Sequence, residues 1–374
     1  MITVFEDNKS LNLEPITLTR AVFDIRFGSE TILQRINRLS KNKVSSFFVR
    51  DSVQDFTKNK YSASEFDHNS GSNNVWLNAS VVWTAGDIET IMRSEESIFI
   101  NDNELIGFNL SKNLSYGIEL VKNFSMSNIS EEITVSKLNI KKINFLWDMF
   151  SLIKDIVIET QDRFKPIKLS ASIVVDETNG PVVIAENVSV GPFTYLKGPV
   201  FLDAESKISS HTVVQNSIIG PGCKVGGEIS GSIFQGWSNK AHDGHLGDSF
   251  IGEWVNFGAG STNSNLKNNY KPISVMVNGV LVDSSSLFVG LFIGDHSKVS
   301  IGTQFNAGTS VGVGCSVIAN TFPERHIPSF TFHDNDQIKK INFSKFLETA
   351  KIVKSRRNQD LSESEIDLLK KLHD

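Results

Sequence analysis

Three hydrophobic patterns follow one another along the chain. Over residues 1–140, apolar runs at 2–5, 44–49, 75–82 and 98–110 read as strands, and the spacing over 31–39 predicts an amphipathic helix. Together they describe an α/β layer domain, with the Asn-, Ser- and Gly-rich stretch 67–74 as a loop. From 145 to 163 the period lengthens. Leu146, Met149, Leu152, Ile153, Ile156 and Val157 recur at three- and four-residue spacing ahead of Pro166. This predicts a connecting helix, in a link spanning 141–168.

The third pattern is a repeat of six. Between 181 and 322 an apolar residue is followed by Gly at Val190-Gly191, Ile219-Gly220, Val225-Gly226, Leu246-Gly247, Ile251-Gly252, Phe257-Gly258, Ile293-Gly294, Ile301-Gly302, Ala307-Gly308 and Val311-Gly312. Six residues is too short for a helical repeat and lacks the two-residue alternation of an ordinary sheet. The pattern predicts coils of about eighteen residues, each with three short strands, stacked in parallel at about 4.8 Å. Gly and Asn are expected at the corners, where a left-handed coil demands positive φ. The predicted architecture over 169–328 is a left-handed parallel β-helix; a β-sandwich would need alternating strands of five or six residues. A stretch near 261–286 has no clean phase, and insertions in a solenoid loop out toward a binding face.

Beyond 328 the composition changes to charged helix. Over 344–358, Phe346, Leu347, Ala350 and Val353 share a face, and Ser362 with Glu365 reads as a capping box before Ile366, Leu368, Leu369 and Leu372. These helices, within 329–374, are expected to cover the last coil, whose strand edges and axial residues would otherwise be bare.

Composition narrows the function classes. A 374-residue chain of formal charge −5 with no long basic stretch does not suit a nonspecific nucleic-acid binder, and leaves small anionic substrates to local charge. Cys223 and Cys315 occupy small-residue positions of the repeat and read as reduced thiols, not a disulfide or a metal pair. No apolar signal core follows Met1 and no run of about 18 apolar residues occurs, so a cytoplasmic protein without a membrane partner is expected.

Residues 240–261 break the monotony of the repeat: His242-Asp243-Gly244-His245-Leu246-Gly247-Asp248, then Ile251-Gly252, Val255-Asn256 and Gly258-Ala259-Gly260. This segment resembles the acetyltransferase half of the GlmU family, bifunctional glucosamine-1-phosphate N-acetyltransferases and N-acetylglucosamine-1-phosphate uridylyltransferases. The family's general base stands five residues before the Gly of the Leu-Gly-Asp corner, the place of His242. An imidazole suits the task, because an amine attacking a thioester must lose a proton near neutral pH. The resemblance implies that Asn256, Asn265 and Lys271 hold an amino sugar, with His245 in place of a pocket tyrosine. It also implies acetyl-coenzyme A in a groove between solenoids, against Ala259, Ala307 and Gly308, with Arg325 and His326 toward the nucleotide phosphates, and hence a homotrimer with composite sites. The chain departs from the family at Ser230, where a phosphate-binding Lys is expected, and has no corresponding Arg in 220–227, which removes charge-assisted bonds to a sugar phosphate. Lys240 reads as a solvent-exposed lysine that could substitute for them.

The run Leu13-Glu14-Pro15-Ile16-Thr17-Leu18-Thr19-Arg20, followed by Gly28, Thr31 and Ile32, resembles the opening of sugar nucleotidyltransferases. Where those enzymes carry a Gly-rich phosphate loop, this chain has Glu6-Asp7-Asn8-Lys9-Ser10-Leu11-Asn12, with two carboxylates and no glycine. Lys9 and Arg20 read as structural ion-pair partners before phosphate ligands. The leading function is an acetyl-coenzyme A-dependent N-acetyltransferase acting on an amino sugar, amino-sugar phosphate or sugar nucleotide, with no resident metal. The alternatives are nucleotidyl transfer by the N-terminal domain with Mg²⁺, and a trimeric scaffold or ligand sensor. A zinc site of the β-helical carbonic anhydrase kind, from His211, His242 and His245, is disfavoured by spacing, since ligands on eighteen-residue coils should recur near multiples of eighteen.

Overall fold

The computed structural model describes all residues except 42, 62–73, 112–113 and 336. The loop expected over 67–74 lies, up to its last residue, outside the described residues. The chain divides into two compact units, residues 1–11 with 20–144 and residues 12–19 with 145–374.

The first unit is built on a mixed sheet. Among the described residues its order is Val44–Phe48, Ile2–Phe5, Val75–Asn78, Glu104–Asn109, Ser97–Asn101, Thr134–Lys137. The first three strands are parallel, an arrangement that needs crossover connections and so buries both faces. The stretch 98–110, expected as one strand, is an antiparallel pair: Asp102 and Asn103 both take positive φ, a conformation these residue types tolerate, and turn the chain back. Thr31 caps helix Ile32–Leu39 through a reciprocal capping box with Gln34. Helices Asp51–Lys60 and Ala85–Arg93 complete the layers with Leu114–Asn123, which has no clear sequence signal beyond its composition.

The second unit is the left-handed β-helix. On one wall the paired residues Ser189, Lys207, Lys224, Asn239, Asn256, Lys298, Ser316 and Phe332 stand above one another. Their intervals show that the coil is not uniformly eighteen residues: it shortens to fifteen between Lys224 and Asn239 and lengthens to forty-two between Asn256 and Lys298. The long interval holds the unphased insertion, which folds as an antiparallel hairpin, Ser274–Val277 with Val280–Asp283. The axis is filled by one aliphatic or aromatic per side, among them Val225, Leu246, Ile251, Phe257, Ile293 and Val311. Ile301-Gly302 is no part of this lining. Val299 is the inward residue, and Ile301, two positions on, is 75% exposed at a corner.

Two residues before each member of that column lies the residue that turns the corner: Asn187, Glu205, Gly222, Trp237, Trp254, His296, Gly314 and Phe330, with φ from 54° to 66°. The expectation of Gly and Asn fails at five of these eight. Left-handed φ costs a side-chain-bearing residue about 1–2 kcal/mol, and here ring stacking opposes that cost. Trp237 and Trp254 stack at 5.6 Å and 7°, and Trp254 and His296 at 6.4 Å and 16°. Gly222 must lack a side chain because a Cβ would sit 2.4 Å from the Trp237 ring.

Helix Ile153–Gln161 packs on strands Val182–Ile184, Tyr195–Leu202 and Val213–Ile219, and the 3-10 turn at Leu146–Leu152 that leads into it stacks Phe150 on Phe292 of the same wall. Helices Phe343–Ser355 and Glu363–His373 bury Phe346, Ala350 and Leu369 against Val313 and Phe330 of the last coils, together with Leu18. Leu13 to Thr19, all but the last residue of the run that resembles the opening of a nucleotidyltransferase, therefore belong by their contacts to the β-helical unit, where the Thr19 hydroxyl donates to Asp295 Oδ2 at 2.6 Å. The capping box at Ser362 is half made. Ser362 Oγ accepts from the Glu365 N–H, but the Glu365 carboxylate turns to Lys354 Nζ (2.6 Å) and lies 3.6 Å from His296 Nε2.

Candidate active site

The segment around His242 occupies a corner and the wall strand after it. Lys240 is not the exposed lysine expected. It is 1% exposed, and its ammonium donates to the carbonyls of Gly226 (3.2 Å), His242 (2.7 Å) and Asp243 (2.8 Å). Its side chain is therefore committed to the backbone, with burial pulling its pKa down to about 8. The consequence is a pinned corner: the His242 and Asp243 carbonyls are tied inward while both side chains point into solvent. The His242 imidazole makes no hydrogen bond to another described residue.

Strand His245–Gly247 is held on both sides. Its register partner is Glu228–Ser230, and on the other side Thr262 and Asn263 replace ordinary ladder bonds with side chains. The His245 N–H donates to Thr262 Oγ1 (3.2 Å), the Gly247 N–H to Asn263 Oδ1 (2.9 Å), and Asn263 Nδ2 returns a bond to the Gly247 carbonyl (3.0 Å). Sequence reasoning missed Asn263; its signal was an amide side chain at the coil where the repeat loses phase.

Over Gly247 the site closes in. A Cβ there would meet His245 Nε2 at 2.4 Å and Asn265 Nδ2 at 2.7 Å, so only glycine lets both side chains converge. Asn265 Nδ2 donates to Asp248 Oδ2 at 2.6 Å, and His245 Nδ1 lies 3.6 Å from Glu228 Oε1. Burial holds the Asp248 carboxyl above its usual range, against the Asn265 bond and the nearby His245. The His245 imidazole has acidic neighbours, with Glu228 beside its Nδ1 and Asp248 within electrostatic reach. Ser230, at the family's phosphate-lysine position, accepts from Gln215 Nε2 at 3.1 Å instead.

The remaining sequence candidates lie elsewhere in the chain. Asn256 stands on the neighbouring wall, between Asn239 and Lys298. Lys271 is exposed at the foot of the inserted hairpin, with its N–H bonded to Asn269 Oδ1. Ala307 is 3% exposed, so it cannot line an open cofactor groove within the chain: the insertion closes over this corner, where a Cβ on Gly308 would meet Ile273 at 2.6 Å. Ala259 is half-buried at a corner and Arg325 is exposed by the last coil. The spacing argument against His211 and His242 also fails, because coils of fifteen and seventeen residues (Val213, Glu228, His245) bring them near one corner two coils apart. His211 is instead stacked on Phe193, and among the described residues no three His, Cys, Asp or Glu side chains stand as a metal site. Cys223 and Cys315 are both buried, and neither forms a disulfide among the described residues.

In the first unit, the strand after which nucleotidyltransferases place their phosphate loop leads into an ion-pair network. Lys142 bridges Asp7 Oδ2 (2.7 Å) and Glu104 Oε2 (2.6 Å), Lys9 pairs with Glu104, and Asn78 donates to Asp7. The Glu6 carboxylate accepts from the Val22 N–H and pairs with Arg50. Asp7 and Glu104, the obvious carboxylates for Mg²⁺, are thus already neutralised, and the residues present do not fit that ion.

The fold defines a two-part protein, an N-terminal α/β unit on a mixed sheet followed in the chain by a left-handed parallel β-helix built from hexapeptide repeats. Residues 2–163 match the family model described as sugar nucleotidyl transferase, and the chain is similar over part of its length to bifunctional nucleotidylyltransferase/acetyltransferases. It is 30% identical over 137 residues to a bifunctional sugar-1-phosphate nucleotidylyltransferase/acetyltransferase of Sulfurisphaera tokodaii, covering 37% of this chain and 30% of that protein. It is 27% identical over 177 residues to the bifunctional protein GlmU of Kineococcus radiotolerans (47% and 32%), and 31% identical over 163 residues to that of Acinetobacter baylyi (44% and 29%). The matched stretches span about a third of the length of these curated relatives. No helix of the described residues is long and apolar enough to cross a membrane.

Proposed function

We propose that the β-helical unit is an acyltransferase that acetylates the amine of an amino sugar or nucleotide-linked amino sugar from acetyl-coenzyme A. The observation that carries this reading is the convergence of His245 and Asn265 over Gly247, three residues beyond the corner that Lys240 pins for His242. His242 is the general base: the amine nitrogen attacks the thioester carbonyl, its proton passes to the imidazole, and the thiolate leaves with a proton. His245, Asn265 and Asp248 supply directional polar contacts for sugar hydroxyls. The surrounding carboxylates attract an ammonium-bearing acceptor and repel a phosphate, which agrees with the absence of the family's phosphate cations. The exposed apolar residues Tyr270, Val280, Leu281 and Phe288 of the insertion support assembly into a homotrimer.

The test is acetyl transfer to a panel of amino sugars. His242→Ala should lower turnover by roughly 10²- to 10⁴-fold with assembly retained, and unchanged turnover removes His242 from the chemistry. Sugar-1-phosphate nucleotidyl transfer is a second reading, favoured by the family match of residues 2–163 and opposed by the neutralised loop around Asp7. Release of pyrophosphate from a nucleoside triphosphate with Mg²⁺ decides it.

A further inference from the structure

The wall beside the histidine site carries a second constellation. Lys207 and Lys224 are direct register partners on successive coils, and Asn239, Asn256 and Lys298 continue the same column. Like charges placed directly opposite across paired strands destabilise them. The residues after helix Phe343–Ser355 close over this column and add Arg356 and Arg357, leaving a cavity of about 810 Å³. Among the described residues, Glu205 is the one carboxylate lining it. None of Lys207, Lys224, Arg356 and Arg357 forms an ion pair there; Arg357 is held by the Gly222 carbonyl (3.0 Å) and Asn239 Oδ1 (2.9 Å). The negative end of the helix offsets part of the arginine charge. It does nothing for lysines on strands.

We propose that this cleft binds a small molecule through a pyrophosphate group, with Lys207, Lys224, Lys298 and Arg356 as its ligands. A pyrophosphate supplies two adjacent anionic groups, the complement of two lysines one coil apart, and a guanidinium suits a phosphate edge bidentately. Asn256, exposed in the same column, presents an amide to the ester or sugar oxygens beyond it. Lys224 bears the mark of the missing counter-charge: its pKa is held below the ordinary lysine range first by Arg357, then by burial, then by Lys207 and Arg356. A nucleotide sugar and the nucleotide end of coenzyme A both carry this chemistry. The assignment stands whether or not the histidine wall performs acetyl transfer.

The experiment is calorimetric titration of the full chain with inorganic pyrophosphate, followed by displacement with a UDP-sugar and with coenzyme A. Saturable binding at one site per chain is expected, weakened at least tenfold in Arg356→Gln, whose exposed side chain supports no packing, and in Lys224→Gln. In anion-free buffer Lys224→Gln should melt no lower than the wild type, since it removes a like-charge contact, and pyrophosphate should raise the melting temperature of the wild type more than that of the variant. Displacement by one nucleotide and not the other identifies the source. The proposal is overturned by equal pyrophosphate affinity in wild type and both variants, by absence of saturable binding, or by failure of both nucleotides to displace it.

Discussion

Two lysine clusters in this chain have the same raw material and opposite outcomes. Lys142 is buried between Asp7 and Glu104, with Asn78 on Asp7 and Lys9 on Glu104, so every charge in the first unit's network has a partner within the fold. Lys207 and Lys224 face each other on the β-helix, and the cavity around them supplies two more arginines and a single carboxylate. The first arrangement is closed to ligands because its electrostatics are already satisfied. The second leaves its counter-charge to come from outside. The contrast separates cations that hold a fold from cations that wait for something, and it assigns anion recognition to the β-helix and not to the loop that aligns with a nucleotidyltransferase phosphate site.

The largest effect should come from breaking the closed cluster. Lys142→Met leaves the largely buried Asp7 carboxylate without its ammonium partner, while Glu104 keeps Lys9, and removing one partner of a buried ion pair costs about 3–5 kcal/mol; urea unfolding followed by a probe in the first unit measures it. The network also has a pH signature. Burial raises the Asp7 and Glu104 pKa values, but Lys142 and the hydrogen bonds outweigh it, and both carboxyls are held below their usual range. Their contribution is therefore complete above the ordinary carboxylate range and is lost as pH falls through the lowered values. Lys142→Met should flatten that acid limb.

The open cluster should respond in the opposite sense. Burial pulls the Lys298 pKa from 10.5 to about 8, its ammonium bonded to the Trp254 carbonyl at 2.5 Å. Between those two pH values the unfolded chain binds more protons than the folded one, so stability rises with pH across that window. Lys298→Met should gain about 1–3 kcal/mol at neutral pH and abolish the rise, a result read by thermal melting from pH 7 to 10.5. Lys240, also near 8, is a third case, a cation spent on three carbonyls. Lys240→Met strands those acceptors at about 1–3 kcal/mol and frees the His242 corner. Turnover should fall while the pH profile of the remaining activity keeps the limb of the His242 base.

How much of this was legible in the sequence follows from the range of the signal. The six-residue phrase specified the β-helix because each inward residue announces itself next to a small neighbour, and the Leu246-Gly247-Asp248 corner marked where His245 and Asn265 converge. Coil length was not legible. It shortens to fifteen residues between Lys224 and Asn239, and that shortening decides which side chains become register partners. Lys207 and Lys224 are seventeen apart, a spacing with no meaning until the coil fixes it. Lys240 was misread for a related reason: nothing local distinguishes a lysine facing solvent from one folded under its own corner. The aromatic corner ladder was hidden as well, because Trp237, Trp254 and His296 occupy a left-handed conformation that their types disfavour, and stacking compensates only once the coils are assembled.

The smallest test bears on what keeps the open cluster open. Arg357 is tied across two coils of the cleft, to the Gly222 carbonyl on one and Asn239 Oδ1 on the next. Arg357→Gln should cost about 1 kcal/mol of thermal stability, the net worth of such hydrogen bonds. It should also relieve the crowding that depresses Lys224, for which Arg357 is the leading cause, so the Lys224 titration moves up toward the ordinary lysine value. NMR of the lysine ammonium carbons reads that shift directly. A Lys224 pKa unmoved by Arg357→Gln would mean that solvent already screens the column, and the distinction between closed and open lysines would then rest on burial alone.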